Sequence, residues 1–245
     1  MYATSISRQK NSFLVTAVAT KILIPQLHPK DYEFPSPLDA SDEGLLAWGG
    51  DLAPERLLRA YSEGIFPWFN EDDPLLWWSP NPRLILFPDA IKQSKSLLKS
   101  MKHFDIRYDT CFERVMRSCW QTRLAKGQKS WINEALIESF CALHVKGFAH
   151  SVETFFEGNL VGGLYGLYLG GMFCGESMFS IKTDASKSAL VGLCRKVKSL
   201  GGDFIDCQLP TEHLKSLGAI ERSREVFLKM TQETLNKNGL KEGTW

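Results

Sequence analysis

Three polar side chains stand where the surrounding sequence is apolar. Residues 173–180 read FCGESMFS, with the carboxylate of Glu176 among aromatic, thioether and small neighbours, and residues 204–208 read FIDCQ, carrying Asp206 and Gln208. An isolated buried carboxylate is costly unless it is paired or protonated, so Glu176 belongs at a surface or at a site. Period-two alternation puts Asp206 and Gln208 on one face of their strand, and Glu176 and Met178 on one face of theirs. Gly175 permits a bulge that turns Phe173 toward the same place. Two carboxylates and an amide that converge can take up and pass on a proton; the plainer alternative is a hydrogen-bonded cluster tying two strands together. Cys207 faces away from its neighbours by the same alternation, which argues against a thiol nucleophile.

The convergence depends on the elements that carry these residues. The run AHSVETFFEGNLVGGLYGLYLGGMFCGESMFS reads as three strands, with Glu157-Gly158-Asn159 and Gly170-Gly171 as turns, hence an antiparallel meander. DASKSALVGLCRKVKSLGG follows as a helix, with Asp184 as N-cap, an apolar stripe through Leu190, Leu193 and Val197, and Gly201 past its end. FIDCQ is the next strand, so residues 172–180 and 204–208 form a right-handed parallel crossover. Ligands of parallel α/β units bind beyond the carboxyl ends of the strands, where Glu176 and the pair Asp206 and Gln208 fall.

Upstream, residues 90–103, 112–120 and 132–146 read as helices. Lys92, Lys95, Lys99 and Lys102 recur at spacings of three, four and three, one stripe of a helix, which serves as a solvated face or as a nucleic-acid contact. From Phe34 to Arg83 the chain is dense in Pro, Gly and Trp, and holds Trp48, Trp68, Trp77 and Trp78. Aromatics at that density build a core or a stacking surface. One helix stands out there, with Pro54 in its first turn, Leu57, Leu58 and Tyr61 on a shared face, and Gly64 as its stop. The chain therefore divides into a flexible N-terminal extension over 1–30, a small domain over 31–82 and a larger domain over 83–245, of α+β class.

The 245 residues, 44% hydrophobic and with a formal net charge of +1, make a globular chain without a global electrostatic invitation to nucleic acid or membrane. Its six cysteines lack the two-residue spacing of metal sites, which fits a reduced, cytoplasmic compartment, no zinc and no other metal. No run approaches the roughly 18 apolar residues of a membrane span. The opening MYATSISRQKNSFLVTAVATK faintly resembles a secretion signal, but its apolar part is short and Lys21 closes it, so an accessory extension is the preferred reading.

FPSP (34–37), GLLAWGGDLAPERLLRAYSEGIFPWF (44–69), WWSPNPR (77–83), SWI (130–132), AHSVE (149–153), LVGGLYG (160–166), FCGESMFS (173–180), ASK (185–187), IDCQ (205–208) and HLKSLGA (213–219) together resemble the bacterial leucyl/phenylalanyl-tRNA protein transferases. The resemblance implies a small N-terminal α/β domain and a GNAT-type acyltransferase domain with a mixed, mostly antiparallel sheet. It implies transfer of Leu or Phe, and less well Met, from Leu-tRNA or Phe-tRNA to proteins with N-terminal Lys or Arg, which marks them for N-end rule degradation. It implies no cofactor and a monomer. Asp206 and Gln208 match residues that relay the proton from the attacking amine, and Glu176 matches a carboxylate that orients the reacting groups. Leu164, Phe173, Met178, Leu190, Leu193 and Ile205 match the side-chain pocket, and Trp68 and Trp131 match residues near the terminal adenosine. In the family the helix equivalent to 90–103 is basic and touches tRNA. Phe140 stands where the family usually has Tyr, Thr154-Phe155 replaces Val-Trp, and Asp184 replaces Asn.

An aminoacyl ester is already activated, and an α-amine with an ordinary pKa of about 8 attacks it without a metal or a covalent intermediate. Two rival readings share parts of the pattern. An acetyl-CoA-dependent acyltransferase needs a Gly-rich pyrophosphate cradle at the crossover helix, whereas SIKTDASK has no glycine. A non-catalytic RNA-binding module explains the lysines and tryptophans but not the converging carboxylates.

Overall fold

The computed structural model describes residues 6–9, 12–17 and 20–240, and the chain separates into two compact units, Met1–Asn81 and Pro82–Trp245. Of the extension expected over 1–30, residues 1–5, 10, 11, 18 and 19 lie outside the described residues. The remainder contains β1 (Ile6–Gln9), β2 (Ser12–Ala17) and β3 (Thr20–Ile24), paired antiparallel in sequence order, and then β4 (Gln26–Leu27).

The first unit adds β5 (Leu45–Gly49), α1 (Pro54–Ser62), β6 (Phe66–Pro67) and β7 (Leu76–Trp78), and its four-stranded sheet runs β4-β5-β7-β6. Helix α1 begins on Pro54, whose missing N–H falls where helices have no intrahelical acceptor, and stops before Gly64 at φ +75°. It buries Leu57 and Tyr61 and also Arg56, which donates to Asp51 and to the carbonyls of His28, Pro29 and Asp31. The tryptophans divide by environment. Trp77 is fully buried, edge-on to Phe34 and bonded through Nε1 to the Gly49 carbonyl, whereas Trp68 is 39% exposed.

The second unit runs β8 (Arg83–Leu86), α2 (Lys95–Met101), β9 (Asp105–Tyr108), α3 (Phe112–Ala125), α4 (Glu134–Val145), β10 (Ala149–Phe156), β11 (Asn159–Leu169), β12 (Met172–Ser180), α5 (Ala185–Ser199), β13 (Phe204–Gln208), α6 (Glu212–Ser216), β14 (Ile220–Arg222) and α7 (Arg224–Asn238). Its seven-stranded sheet has the order β14-β8-β13-β12-β11-β10-β9, and every neighbouring pair is antiparallel except β12 with β13. The molecule is thus a mixed α+β protein with a mostly antiparallel main sheet. The β10-β11-β12 meander turns through Glu157-Gly158 and Gly170-Gly171, all at positive φ, as two-residue hairpin turns that match strand twist require. Helix α5 makes the crossover to β13 and lays Ala189, Leu190, Leu193, Cys194 and Val197 onto Leu84, Leu86, Val152, Leu164, Phe173 and Ile205.

Two expectations need correction. The helix expected over 90–103 is confined to α2, because the Ser94 side chain caps the Leu97 amide and starts the helix there, while Pro88–Ala90 forms a separate 3-10 turn. Lys92 therefore precedes the helix, and its backbone amide bonds the Leu217 carbonyl. Asp184 does stand at the N-cap position of α5, but it has φ +66° and its side chain caps no helix amide. Its carboxylate instead accepts from Lys187 Nζ at 2.9 Å and Ser100 Oγ at 2.9 Å, and the Lys187 contact above all lowers its pKa. Among the described residues no helix is long and apolar enough to cross a membrane.

The first turn of α5 meets the sheet at glycine. A Cβ on Gly162 would lie 2.5 Å from Ala185 Cβ and 2.9 Å from the Ala185 carbonyl carbon, and Thr154 Oγ1 donates to the Ala185 carbonyl beside it. Gly162→Ala must push α5 away, an overpacking that costs about 1–3 kcal/mol. Urea unfolding of the variant is expected to show that loss, and wild-type stability would mean that the helix yields freely.

Candidate functional site

Glu176 and Gln208 meet because two neighbouring strands each carry one extra residue. In β12, Ser177 pairs with Tyr165 and Gly175 pairs with Gly166, which leaves Glu176 unmatched in a bulge. In β13, Asp206 pairs with Ile85 and Gln208 with Leu84, which leaves Cys207 unmatched. The parallel rungs between the two strands run from Met172–Phe204 to Cys174–Asp206 and stop there. Bulges bend a strand and re-aim its side chains. Just beyond the last rung, Gln208 Nε2 donates to Glu176 Oε1 at 2.7 Å. The bulge expected beside Gly175 therefore falls on Glu176 itself, while Phe173 stays fully buried in the apolar cluster.

Asp206 and Gln208 come together through a turn rather than through strand alternation. Gln208 has φ +61°, and its backbone amide donates to Asp206 Oδ1 at 2.9 Å. Asp206 also receives Arg83 Nε on Oδ1 at 2.8 Å and the Arg83 Nη2 on Oδ2 at 2.7 Å. Both side chains of this bidentate pair are 1% exposed, and the Arg83 guanidinium lies 4.5 Å over the Phe227 ring of α7. A fork of two parallel charge-assisted bonds is the geometry in which Arg and a carboxylate attract most strongly. Sequence reasoning missed Arg83 as a partner, although it closes the conspicuous WWSPNPR motif and opens β8.

The expected pocket residues are brought together. Leu164, Phe173, Leu190, Leu193 and Ile205 are buried in one cluster, and Met178, half-buried, packs against it. Trp131 is half-buried in the second unit, its ring under the Arg123 guanidinium at 4.4 Å, whereas Trp68 belongs to the first unit and meets Trp78 edge-on at 5.6 Å. Lys92, Lys95, Lys99 and Lys102 are all exposed, the last three on or at the end of α2. Burial and the Asp206 charge push the Cys207 thiol far above its ordinary pKa, so it stays protonated beside the site. A nucleophilic thiol needs the opposite shift. Among the described residues, Asp109, His144 and His150 could hold a metal, but His150 bonds Asp109 at 2.7 Å and the Gly147 carbonyl at 3.1 Å, and His144 bonds the Ala149 carbonyl at 2.8 Å.

Comparison with known proteins gives a consistent answer. The family model described as leucyl/phenylalanyl-tRNA protein transferase matches residues 85–232, and that of the family's N-terminal domain matches residues 50–81. The chain is 54% identical over 206 residues to the leucyl/phenylalanyl-tRNA protein transferase of Sulfurimonas denitrificans, covering 84% of this chain and 90% of that one. It is 52% identical over 219 residues to that of Legionella pneumophila, covering 89% and 98%, and 50% identical over 210 residues to that of Idiomarina loihiensis, covering 84% and 89%.

The buried pair yields a sharp stability test. Removing one partner strands a charge and costs about 3–5 kcal/mol, while an apolar pair of similar volume is near neutral. In urea unfolding, Arg83→Met and Asp206→Leu are each expected to be severely destabilised, and the double variant to recover most of the loss. Additive single effects would show that the two side chains are not coupled.

Proposed function

The chain belongs to the leucyl/phenylalanyl-tRNA protein transferase family, and from that premise we propose which of its residues carry the reaction. The family transfers an aminoacyl group from tRNA to the N-terminus of a protein, and this chain is such an aminoacyltransferase. In the transfer the acceptor amine attacks the ester carbonyl, a C–N bond forms, the C–O bond to the ribose breaks, and one amine proton ends on the ribose oxygen. Positioning alone can supply roughly 7–11 kcal/mol of such a barrier in favourable cases.

Gln208 and Glu176 take the central roles, and their hydrogen bond across the end of the β12-β13 ladder is the observation that carries the reading. With Nε2 given to Glu176, the Gln208 amide keeps its oxygen as acceptor for an N–H of the incoming amine. An amide does not hold the proton, so Gln208 orients the amine, and the Glu176 carboxylate beside it takes the proton from the amine and returns it to the ribose oxygen as the C–O bond breaks. Asp206 is a positioning residue: both of its oxygens receive Arg83, and one also holds the Gln208 backbone. The cluster of Leu164, Phe173, Met178, Leu190, Leu193 and Ile205 receives the Leu or Phe side chain. Met178, unbranched and half-buried, is the member best able to adapt to either shape, or to Met.

For the tRNA, Trp68 and Trp131 offer rings for base stacking, worth roughly 1–3 kcal/mol per base. The exposed Lys95, Lys99 and Lys102 meet phosphates, with Lys92 joining from the segment before α2. We extend the reading to acceptors with N-terminal Lys or Arg, to marking them for degradation, and to a cytoplasmic monomer that works without metal or cofactor. We also read residues 31–82 as a small Trp/Pro/Gly-rich N-terminal domain and 83–245 as a GNAT-type transfer domain. The short parallel pair flanking α5 supports that fold.

Glu176→Gln is expected to lower single-turnover transfer from Leu-tRNA to an Arg-initiated peptide by about 10²–10⁴-fold, the range of general-base assistance. Gln208→Ala should lose rate as well, with aminoacyl-tRNA affinity retained in both. Wild-type rates in both variants would remove the site. Replacing Lys95, Lys99 and Lys102 with Gln should reduce the slope of log K against log salt by about 2–3, since each lost phosphate contact removes a little under one unit. An unchanged slope would leave the stripe a solvated surface.

A further inference from the structure

Tyr165 carries a polar group that the apolar surroundings do not explain. It follows Leu164 in β11, so it faces the opposite side of the sheet from the apolar cluster. There it is fully buried, with the edges of Phe112 and Phe140 against its ring at 6.1 Å and 5.6 Å. Among the described residues, the Tyr165 hydroxyl and Arg123 Nε are buried without any hydrogen-bond partner. Unpaired buried polar atoms are rare in folded proteins, and rules of local packing are broken mainly at functional sites.

The two atoms share one neighbourhood. The charges of Glu176 and Arg123 both bear on the Tyr165 phenol, as does Cys119, which lies one helical turn before Arg123 on α3. The Ser177 hydroxyl bears on the Cys119 thiol, and Ser177 is the residue paired with Tyr165 across the β11-β12 ladder. The far end of Arg123 is held by the Trp131 ring at 4.4 Å and by a bond from Nη2 to the Lys129 carbonyl at 3.4 Å. Its Nε is therefore fixed rather than free to swing to solvent.

Both atoms act as donors. A guanidinium Nε–H can only donate. Burial first, and the Glu176 charge second, raise the Tyr165 pKa well above its ordinary value, so the phenol keeps its proton. Two buried donors call for an acceptor oxygen, and the reaction delivers one: the carbonyl oxygen of the aminoacyl ester, which gains negative charge as the amine attacks. We propose that the Tyr165 hydroxyl and Arg123 Nε hold this oxygen during transfer, beside the proton-accepting Glu176. The charge they stabilise is present only while the C–N bond is made and the C–O bond still stands. The pair thus acts on the rate rather than on binding.

The inference rests on the site assigned to Glu176 and Gln208, and the test separates the two. In the full-length protein, Tyr165→Phe keeps the ring and removes only the unpartnered hydroxyl, so its melting temperature is expected to be unchanged or higher. Its single-turnover transfer rate at saturating Leu-tRNA should fall about 10²-fold or more, with KM for Leu-tRNA nearly unchanged, as for loss of one oxyanion donor. Arg123→Lys, which keeps the charge but lacks Nε, should lose rate in the same way. A rate within about twofold of wild type in Tyr165→Phe would overturn the proposal, because single oxyanion donors are worth far more. So would a rate loss that merely tracks a fall in melting temperature, since that marks a structural hydroxyl or one bonded to a buried water. If Tyr165→Phe is normal while Glu176→Gln is slow, the donor pair alone is wrong; if Glu176→Gln is also normal, the site is wrong.

Discussion

The site depends on one buried ion pair. Arg83 and Asp206 lie almost wholly out of water and face each other through a bidentate contact. Such pairs add little net stability, because the attraction does little more than offset the desolvation of two charges. Their directional geometry is what matters here. It brings the first residue of β8 to β13, and it leaves Asp206 Oδ1 to accept the Gln208 amide. That bond helps hold Gln208 at φ +61°, a conformation that non-glycine residues adopt seldom and only when their surroundings impose it. The Gln208 side chain can then reach Glu176.

The second constraint is the end of the parallel ladder. β12 and β13 share only three rungs, and each strand bulges immediately after the last. Two strands that part in this way expose backbone and side chains that regular pairing would consume. The proposed site uses that place, where a substrate would be presented without unfolding any element. Helix α5 sets how far the region yields, since its first turn rests on Gly162, and a Cβ on Gly192 would lie 2.8 Å from a methyl of Ile106. Close helix-to-sheet contact through glycine holds the apolar cluster beside the irregular ends of two interior strands.

Much of this was legible in the sequence, and the parts that were not have physical reasons. The meander, the crossover helix and FIDCQ announced themselves through hairpin turns at Gly158 and Gly171 and through the Leu190, Leu193 and Val197 stripe. Glu176, Asp206 and Gln208 were recognisable as polar residues in apolar strands. Arg83 was not assigned to Asp206, because 123 residues separate them and no local periodicity records a contact of that range. The helix over 90–103 was overread because the lysine spacing continues through Ser94, whose capping hydroxyl is the stronger signal. Asp184 resembled an N-cap, but a left-handed backbone and a nearby ammonium redirect its carboxylate. Strict alternation failed at Gln208, because a bulge is invisible to a period-two pattern unless a glycine or proline marks it.

Register explains how one stretch of sheet serves two purposes. Leu164 pairs with Met178 and packs in the apolar cluster, while the next pair, Tyr165 with Ser177, carries polar groups on the opposite side. A slip of one residue would exchange these faces and put the hydroxyls into the cluster. The next residue, Glu176, is the one the ladder leaves unmatched, and beyond it Gly175 pairs with Gly166 in a shifted register. At Gly166 even a Cβ would come within 2.0 Å of the Cys174 carbonyl oxygen, so the tightened backbone there admits only glycine. The carboxylate thus occupies the one position where β12 is released from strict alternation, at the boundary between the greasy face and the polar one. In the proposed site, an activated amino acid would there present its side chain to one environment and its ester to the other.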